Sequence, residues 1–493
     1  MSVVNQVLVE FAPTLTPTRL ERLDMESRNA EVKAVDPSGT GYISQFGKGQ
    51  PFVQISGYQI ELSNIMSLII FQNELIPKIH LSFMDNDFAF TSHQFPIMKP
   101  LVTMYLAPSN LQLKSIAADF FITSIKALPI KDSVRYDVIG ELHIPGIYSN
   151  KSTAYRAMSS VDVMRKIASE LGLGFATNED KTNDTMTWIN PNLNYKAFIE
   201  QVISRAYTNE KSFYTCFIDK NYILNFINVE KQFSRESEVD VTYAGNMVQK
   251  LDPIRFDYDN KPVDELVEVP MILTNSQSAG TSDLSIYDYA MVSENGDILK
   301  TESFRKRLYW YPHGENKPID HFIEPISDLS PENGSVHQKP ELTEFENGEV
   351  VKWIGVDYQN AHSNYKFARA INTHNKKEIE KHMLRVVLNG ANFSILRGSR
   401  VKVEIIGDAA YDIIGDAYFG DAEPGFKNPG DVNVPIGVNN EYIDEHLSDF
   451  YYVKDIVIKY KPLADPQSAF YTEMMLTKRN WFTTPEKLLT PNE

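Results

Sequence analysis

A chain of 493 residues is too long for one ordinary hydrophobic core, so roughly three or four domain-sized units are expected. Apolar residues make up 42% and aromatics 11%, which excludes wholesale disorder, and the wealth of Tyr and Phe favours pleated sheet. The net charge of −17 opposes tight wrapping of nucleic acid and adhesion to an anionic membrane, and the single cysteine, Cys216, excludes an intrachain disulfide.

From residue 1 to about 150 the chain reads as strands and turns. Short β-prone runs lie at Phe52–Ile55, Lys78–Phe83, Val102–Leu106 and Phe120–Ile125. Val134, Tyr136, Val138 and Leu142 alternate with Arg135, Asp137 and Glu141, the pattern of a half-buried strand. Closely spaced strands parted by turn residues suggest a barrel or sandwich. Gly39-Thr-Gly41 and Gly47-Lys-Gly49 mark an early loop.

Residues 151–260 read as an α-rich middle. Ser159 is placed to cap a helix, and Asp162 puts a carboxylate at its positive end. Val163, Met164, Ile167, Ala168 and Leu171 form one apolar stripe, and Gly172 ends it. Asn194 opens a second helix with Phe198, Val202, Ile203 and Ala206 on one face. Two β-rich runs, Phe213–Ile218 and Tyr222–Val229, flank Asp219-Lys220-Asn221 and predict a hairpin. Residues 241–258 suggest a return to strand.

Residues 261–350 are acidic and broken by Pro and Gly, which suggests an inserted subdomain or arm with one structured island, Phe304–Tyr311. Asn375 and Glu378 predict a capping-box start to a third helix. Ile379, Met383, Val386 and Val387 would face inward on it, and Gly390 would stop it. A strand at Arg397–Ile405 follows, then an acidic loop at 407–449 and strands at Phe450–Tyr460 and Phe470–Thr477. Residues 351–480 thus form a last domain, and 481–493 a tail. The two acidic segments hold the negative excess; the rest is near neutral.

Catalytic signatures are missing. No nucleophile elbow, P-loop or dinucleotide fingerprint is present, and Gly172-Leu-Gly174 is explained by a helix stop. His313/His321 and His374/His382 lie eight apart without a third zinc ligand. The Gly-Asp steps at 407, 415, 420 and 430 fit no calcium-loop spacing and read as flexible acidic loop. Arg305-Lys306-Arg307 beside Tyr309-Trp310-Tyr311 reads as a salt-bridged hairpin sooner than as a nucleic-acid patch, because its surroundings are acidic. Cys216 sits in an apolar run, as a buried structural thiol does. No catalytic, cofactor-binding or metal residue is assigned. The N-terminus lacks the features of a secretion signal, and no run approaches the ~18 apolar residues of a membrane span, so assembly in a cytosol is expected.

Several of these stretches together carry a resemblance. They are the capped helix ending Leu171-Gly172, the Trp188-Ile189 approach to the second helix, and the hairpin ending Asn225-Phe-Ile-Asn-Val229. The run Asn389-Gly-Ala-Asn-Phe-Ser-Ile-Leu-Arg-Gly-Ser-Arg-Val-Lys-Val403 and the strand Phe450-Tyr-Tyr-Val-Lys-Asp-Ile-Val-Ile458 extend it. In this order they resemble the central baseplate hub of T-even-type contractile-tailed phages, a family related to late-control protein D and VgrG-type hubs. The likeness covers roughly residues 100–260 and 360–480. It implies an α+β, β-dominated chain: two tube-like β-barrel domains joined by the α-rich middle, with two acidic insertions beyond the family minimum. It also implies a structural virion protein without enzyme activity or cofactor. Three copies would offer six similar units, matching a six-fold tail tube above and a three-fold central spike below, around the path of DNA and tape measure protein. The partners implied are the tube, spike, tape measure and baseplate wedge proteins, with DNA only in transit and no membrane. The competing classes are a cell-wall or polysaccharide hydrolase of the baseplate and a host-surface glycan-binding module. The adhesive surfaces expected are barrel edges and the aromatic strands near Tyr222–Phe226 and Phe450–Tyr452, against the competing reading that those strands are core.

Overall fold

A computed structural model describes residues 8–10, 51–93, 97, 100–106, 116–220, 222–233, 272–275, 284–293, 306–310, 319–323, 349–353, 361–390, 395–398, 400–408, 441–443, 447–462, 470–479 and 481. Strands dominate it. The first, β1 (Leu8–Glu10), belongs to the sheet of the middle unit. The first unit then contains β2 (Pro51–Ile55), β3 (Tyr58–Ile60), β4 (Ile65–Gln72), β5 (Lys78–Asp85), the short helix α1 (Ala89–His93), β6 (Leu101–Leu106), β7 (Ile116–Ile130) and β8 (Ser133–Leu142). Its strands pair antiparallel in the order β4-β5-β8-β7-β6-β2-β3. The alternation read from β8 holds: Val134, Tyr136, Val138 and Leu142 are buried while Arg135, Asp137, Ile139 and Glu141 face outward. Inside, Tyr136 stacks on Phe83, and Phe90 of α1 meets the edges of both rings. The early glycine loop falls outside the described residues.

The middle unit holds β9 (Asn150–Met158), α2 (Ser160–Leu171), β10 (Gly174–Thr177), β11 (Met186–Asn194), α3 (Tyr195–Arg205), β12 (Tyr214–Ile218), β13 (Ile223–Asn228) and α4 (Val229–Phe233). Local sequence dictates most of it. Ser159 and Asp162 close a reciprocal capping box, Gly172 ends α2 in the left-handed conformation at φ 69°, and the whole expected stripe is buried. Asn194 caps α3 by accepting the amide of Ala197 at 2.9 Å. The hairpin forms as β12 and β13, beside which β10 pairs parallel to β13. Residues 241–258 lie outside the described residues.

The last unit contains β14 (Ile272–Thr274), β15 (Ile286–Ser293), β16 (Lys306–Trp310), β17 (Ile319–Ile323), β18 (Glu349–Trp353), α5 (Tyr365–Ile379), β19 (His382–Leu388), β20 (Arg400–Glu404), β21 (Ile406–Asp408), β22 (Glu441–Ile443), β23 (Asp449–Tyr460) and β24 (Phe470–Thr477). The expected island appears as β16, paired antiparallel to β17 and parallel to β18. The helix expected to start at Asn375 is corrected. The helix is α5, which ends at Ile379, and Met383–Val387 lie on strand β19. Asn375 and Glu378 fall in the last turns of α5. The spacing of Met383, Val386 and Val387 suits either structure, and pairing with both β15 and β24 selects the strand.

Strands of the first and last units form one 13-stranded sheet, antiparallel apart from the β14–β20 pair, while β16–β18 and β21–β22 stand outside it. A bridge between Thr274 and Ser285 brings β14 to the start of β15, but no full ladder closes a barrel among the described strands. A single buried cluster runs through all three units, from Val53 to Trp481. No helix among the described residues is long and apolar enough to cross a membrane.

Candidate functional site: the seam strand and its outer face

Strand β23 joins the two halves because it uses one edge twice. Its first four residues pair with β20, and Ile456–Tyr460 pair with β4 of the first unit. The opposite edge pairs with β24 from Tyr452 to Tyr460. Val453, Ile456, Ile458 and Tyr460 point into the core, so Val457 and Lys459 point outward.

The outward side chains line up across the seam. Ile139, His80, Ile69, Lys459 and Tyr471 are register partners in succession, and the Tyr287 ring lies 6.3 Å from that of Tyr471. In a parallel row Glu141, Lys78, Phe71 and Val457 lead to Glu473, Val387 and Asp288. Phe121, Ile139 and Tyr287 are 44%, 39% and 70% exposed. The result is one continuous face from β7 to β15.

Its charges are matched. Lys78 meets Glu74 at 2.7 Å and Glu141 at 3.9 Å. Lys459 binds Glu473, and Arg385 binds Asp288 and lies 3.7 Å from Glu473. Partial burial, helped by the charge of Lys78, holds the His80 pKa below the ordinary imidazole value. The face thus mixes apolar groups with cations that each have an anion beside them.

Behind the face, Arg397 ties the units together. It precedes Gly398, where only glycine suits: φ is +82°, and a β-carbon there would lie 3.0 Å from the Phe217 ring. Arg397 Nη1 donates to the Glu74 carbonyl and Nε to the Lys454 carbonyl, both at 2.7 Å. Its guanidinium lies 5.1 Å from the Phe217 ring centroid. The Tyr222 hydroxyl accepts from the Asp119 amide at 3.1 Å and ties the hairpin to β7.

The aromatic strands named from sequence are mostly core: Ile223, Leu224, Phe226, Tyr451 and Tyr452 are buried, while Tyr222 and Phe450 are half-buried. Sequence reasoning missed the outer face, although the alternation within 78–85 and 134–142 carries half of it. Cys216 is buried, and burial raises its thiol pKa, which keeps it a thiol. His374 is buried on α5, whereas His382 Nδ1 lies 2.6 Å from the Ser293 hydroxyl. Among the described residues no group of three His, Cys, Asp or Glu is placed to hold a metal ion. Gly407-Asp408 lies on β21; the other Gly-Asp steps, Arg305 and His313 lie outside the described residues.

No family model and no curated protein sequence matches the chain. Solved structures do, and they are phage-tail and type VI secretion proteins. A tail protein from Neisseria meningitidis MC58 is 11% identical, with a TM-score of 0.45 over 87% of this chain and 96% of that one. The 43 kDa tail protein of prophage MuSo2 from Shewanella oneidensis is 7% identical, with a TM-score of 0.48 over 87% and 98%. The E. coli c3393 protein, a component of the type VI secretion system, is 9% identical, with a TM-score of 0.39 over 87% and 78%.

Proposed function

We propose that this chain is a structural protein of a phage-type tail baseplate, a hub that works as a homotrimer and performs no turnover chemistry. It joins a six-fold tail tube to a three-fold central spike and surrounds the path of DNA and tape measure protein, with wedge proteins outside it. It is assembled in the host cytoplasm and resides in the tail. The sequence resemblance supports this reading. The observation that carries it is the continuous outer face crossing from the first unit to the last through β23. A face shared by two sheet units lets one chain present two related surfaces in fixed relation, as a three-subunit ring against a six-fold tube requires. We assign this face to the channel. Its cations are already paired, so passing phosphates meet no free cluster to hold them.

In this reading the tube-like domains span 1–150, apart from β1, which pairs with β10 of the middle unit, and 351–480, with the second also taking in β14 and β15, which pair with β20 and β19. The α-rich domain at 151–260 braces them. Native mass and electron microscopy of the purified chain test the proposal. A three-copy ring with an open centre lined by β4, β5, β23 and β24 is expected. Monomers at every concentration, or a ring with those strands on its outside, would remove it.

A further inference from the structure

The middle and last units meet along a second contact; Glu230 and Glu380 lie in it, and Asp455 lies behind it beside Arg397 and Lys454. Glu230 belongs to α4, Glu380 follows α5, and Asp455 sits on β23. Their side chains are 13%, 23% and 18% exposed. A cavity of about 10 Å³ opens beside Glu380, Lys454 and Tyr452, close to the room needed by one water. Phe213, Val229, Ile379 and Tyr452 make a small apolar cluster around it.

Two of these carboxylates are incompletely bonded. Oε2 of Glu230 and Oδ1 of Asp455 are buried without a hydrogen-bond partner among the described residues. Arg479 reaches only the other oxygen of Glu230, at 3.0 Å. Arg397 Nη2 stays 3.7 Å from Asp455, because its other N–H groups are committed to the Lys454 and Glu74 carbonyls. Glu380 has Lys454 at 3.4 Å. A buried carboxylate oxygen without a donor is costly while the group is ionised, and protonation removes most of that cost.

We propose that this contact is a proton-operated clamp: proton uptake by Glu230, Glu380 and Asp455 tightens the middle unit against the last, and proton loss at higher pH loosens it. The clamp requires no partner and stands apart from the channel role.

The electrostatics agree with the geometry. Burial pushes all three groups above the ordinary carboxylate range. It outweighs Arg479 and Lys211 beside Glu230, Lys376 and Lys454 beside Glu380, and Arg397, Lys454 and Lys376 beside Asp455. Asp455 also raises Glu380. The Tyr452 phenol, near Glu380 and Asp455, is pushed up by burial too, and stays neutral. A carboxyl with a raised pKa binds its proton more tightly folded than unfolded. Its contribution is complete below about pH 4 and is lost as pH climbs through the raised value. His362 and His382 act in the opposite sense, since burial lowers their pKa and their contribution grows as pH rises.

Urea unfolding of the full chain between about pH 5 and about pH 8 separates these effects. Glu230→Gln, Glu380→Gln and Asp455→Asn preserve shape and remove the titrating group. Each variant should unfold at higher urea than the parent near the upper pH, and the difference should vanish near the lower. An offset independent of pH, or a variant weaker than the parent at the upper pH, overturns the clamp. The exposed Glu61→Gln should show no offset at either pH. Should a variant fail to fold, amide exchange of α4 and α5 in the parent, corrected for its intrinsic pH dependence, supplies the answer. Slower opening as pH falls supports the clamp, and faster opening refutes it.

Discussion

Arg397 contacts every unit with one guanidinium, and no shorter or rounder cation reproduces that reach. Arg397→Met should cost about 2–4 kcal/mol in urea denaturation, because it strands two carbonyls and removes a cation beside Asp455. Arg397→Lys should recover only part of the loss, since an ammonium cannot address both carbonyls while stacking on Phe217; full recovery would show that charge alone matters there. Ser159→Ala should cost about 1 kcal/mol by the same assay, the value of a lost cap. These two residues differ in how far sequence betrays them. Ser159 finds its partner three positions on, so its role was legible. The partners of Arg397 sit at 74, 217 and 454, and no local pattern announces them.

At the scale of elements, α5 is fastened to the end of α3 by polar side chains. Asn372 donates to the Ala206 carbonyl and Asn375 to that of Glu210, each at 2.8 Å, while Arg205 donates to the Tyr365 carbonyl at 2.7 Å. Asn372→Ala should therefore lower stability by about 1–2 kcal/mol and speed amide exchange in the last turn of α3; unchanged exchange there would deny the fastening. The helices α2 and α3 were readable because caps and apolar spacing agree. The stretch 375–390 misled because Asn375 and Glu378 imitate a cap inside a helix that is already running. Val386 and Leu388 then alternate inward on a strand whose neighbours come from residues 286–293 and 470–477. Such partners override local preference and cannot be inferred from the segment itself. The aromatic runs show the same limit: Tyr451 has the composition of a sticky surface, but β20 pairs with it and Trp481 packs against its ring, so it is buried.

For the whole molecule, the paired charges of the outer face set its behaviour toward polyanions. Glu141→Lys combined with Glu473→Lys would add two cations to the face and leave Lys459 without its anion, while Lys78 keeps Glu74 and Arg385 keeps Asp288. The double variant should retain duplex DNA in an anisotropy titration at about 50 mM salt and release it at about 200 mM, whereas the parent binds at neither. Equal behaviour of the two proteins would mean that this face does not govern contact with DNA.

Because β4 takes as its neighbour a strand made roughly 390 positions later, the first sheet cannot be finished until Ile456–Tyr460 have been translated. Until then Ile69 and Phe71 stand on an unpaired, hydrophobic margin of the kind that recruits other chains. A polypeptide ending before Asp449 should accordingly form inclusion bodies in place of a soluble fragment. Synthesis of β23 would then act as a licence to assemble, withholding copies that lack it from any ring.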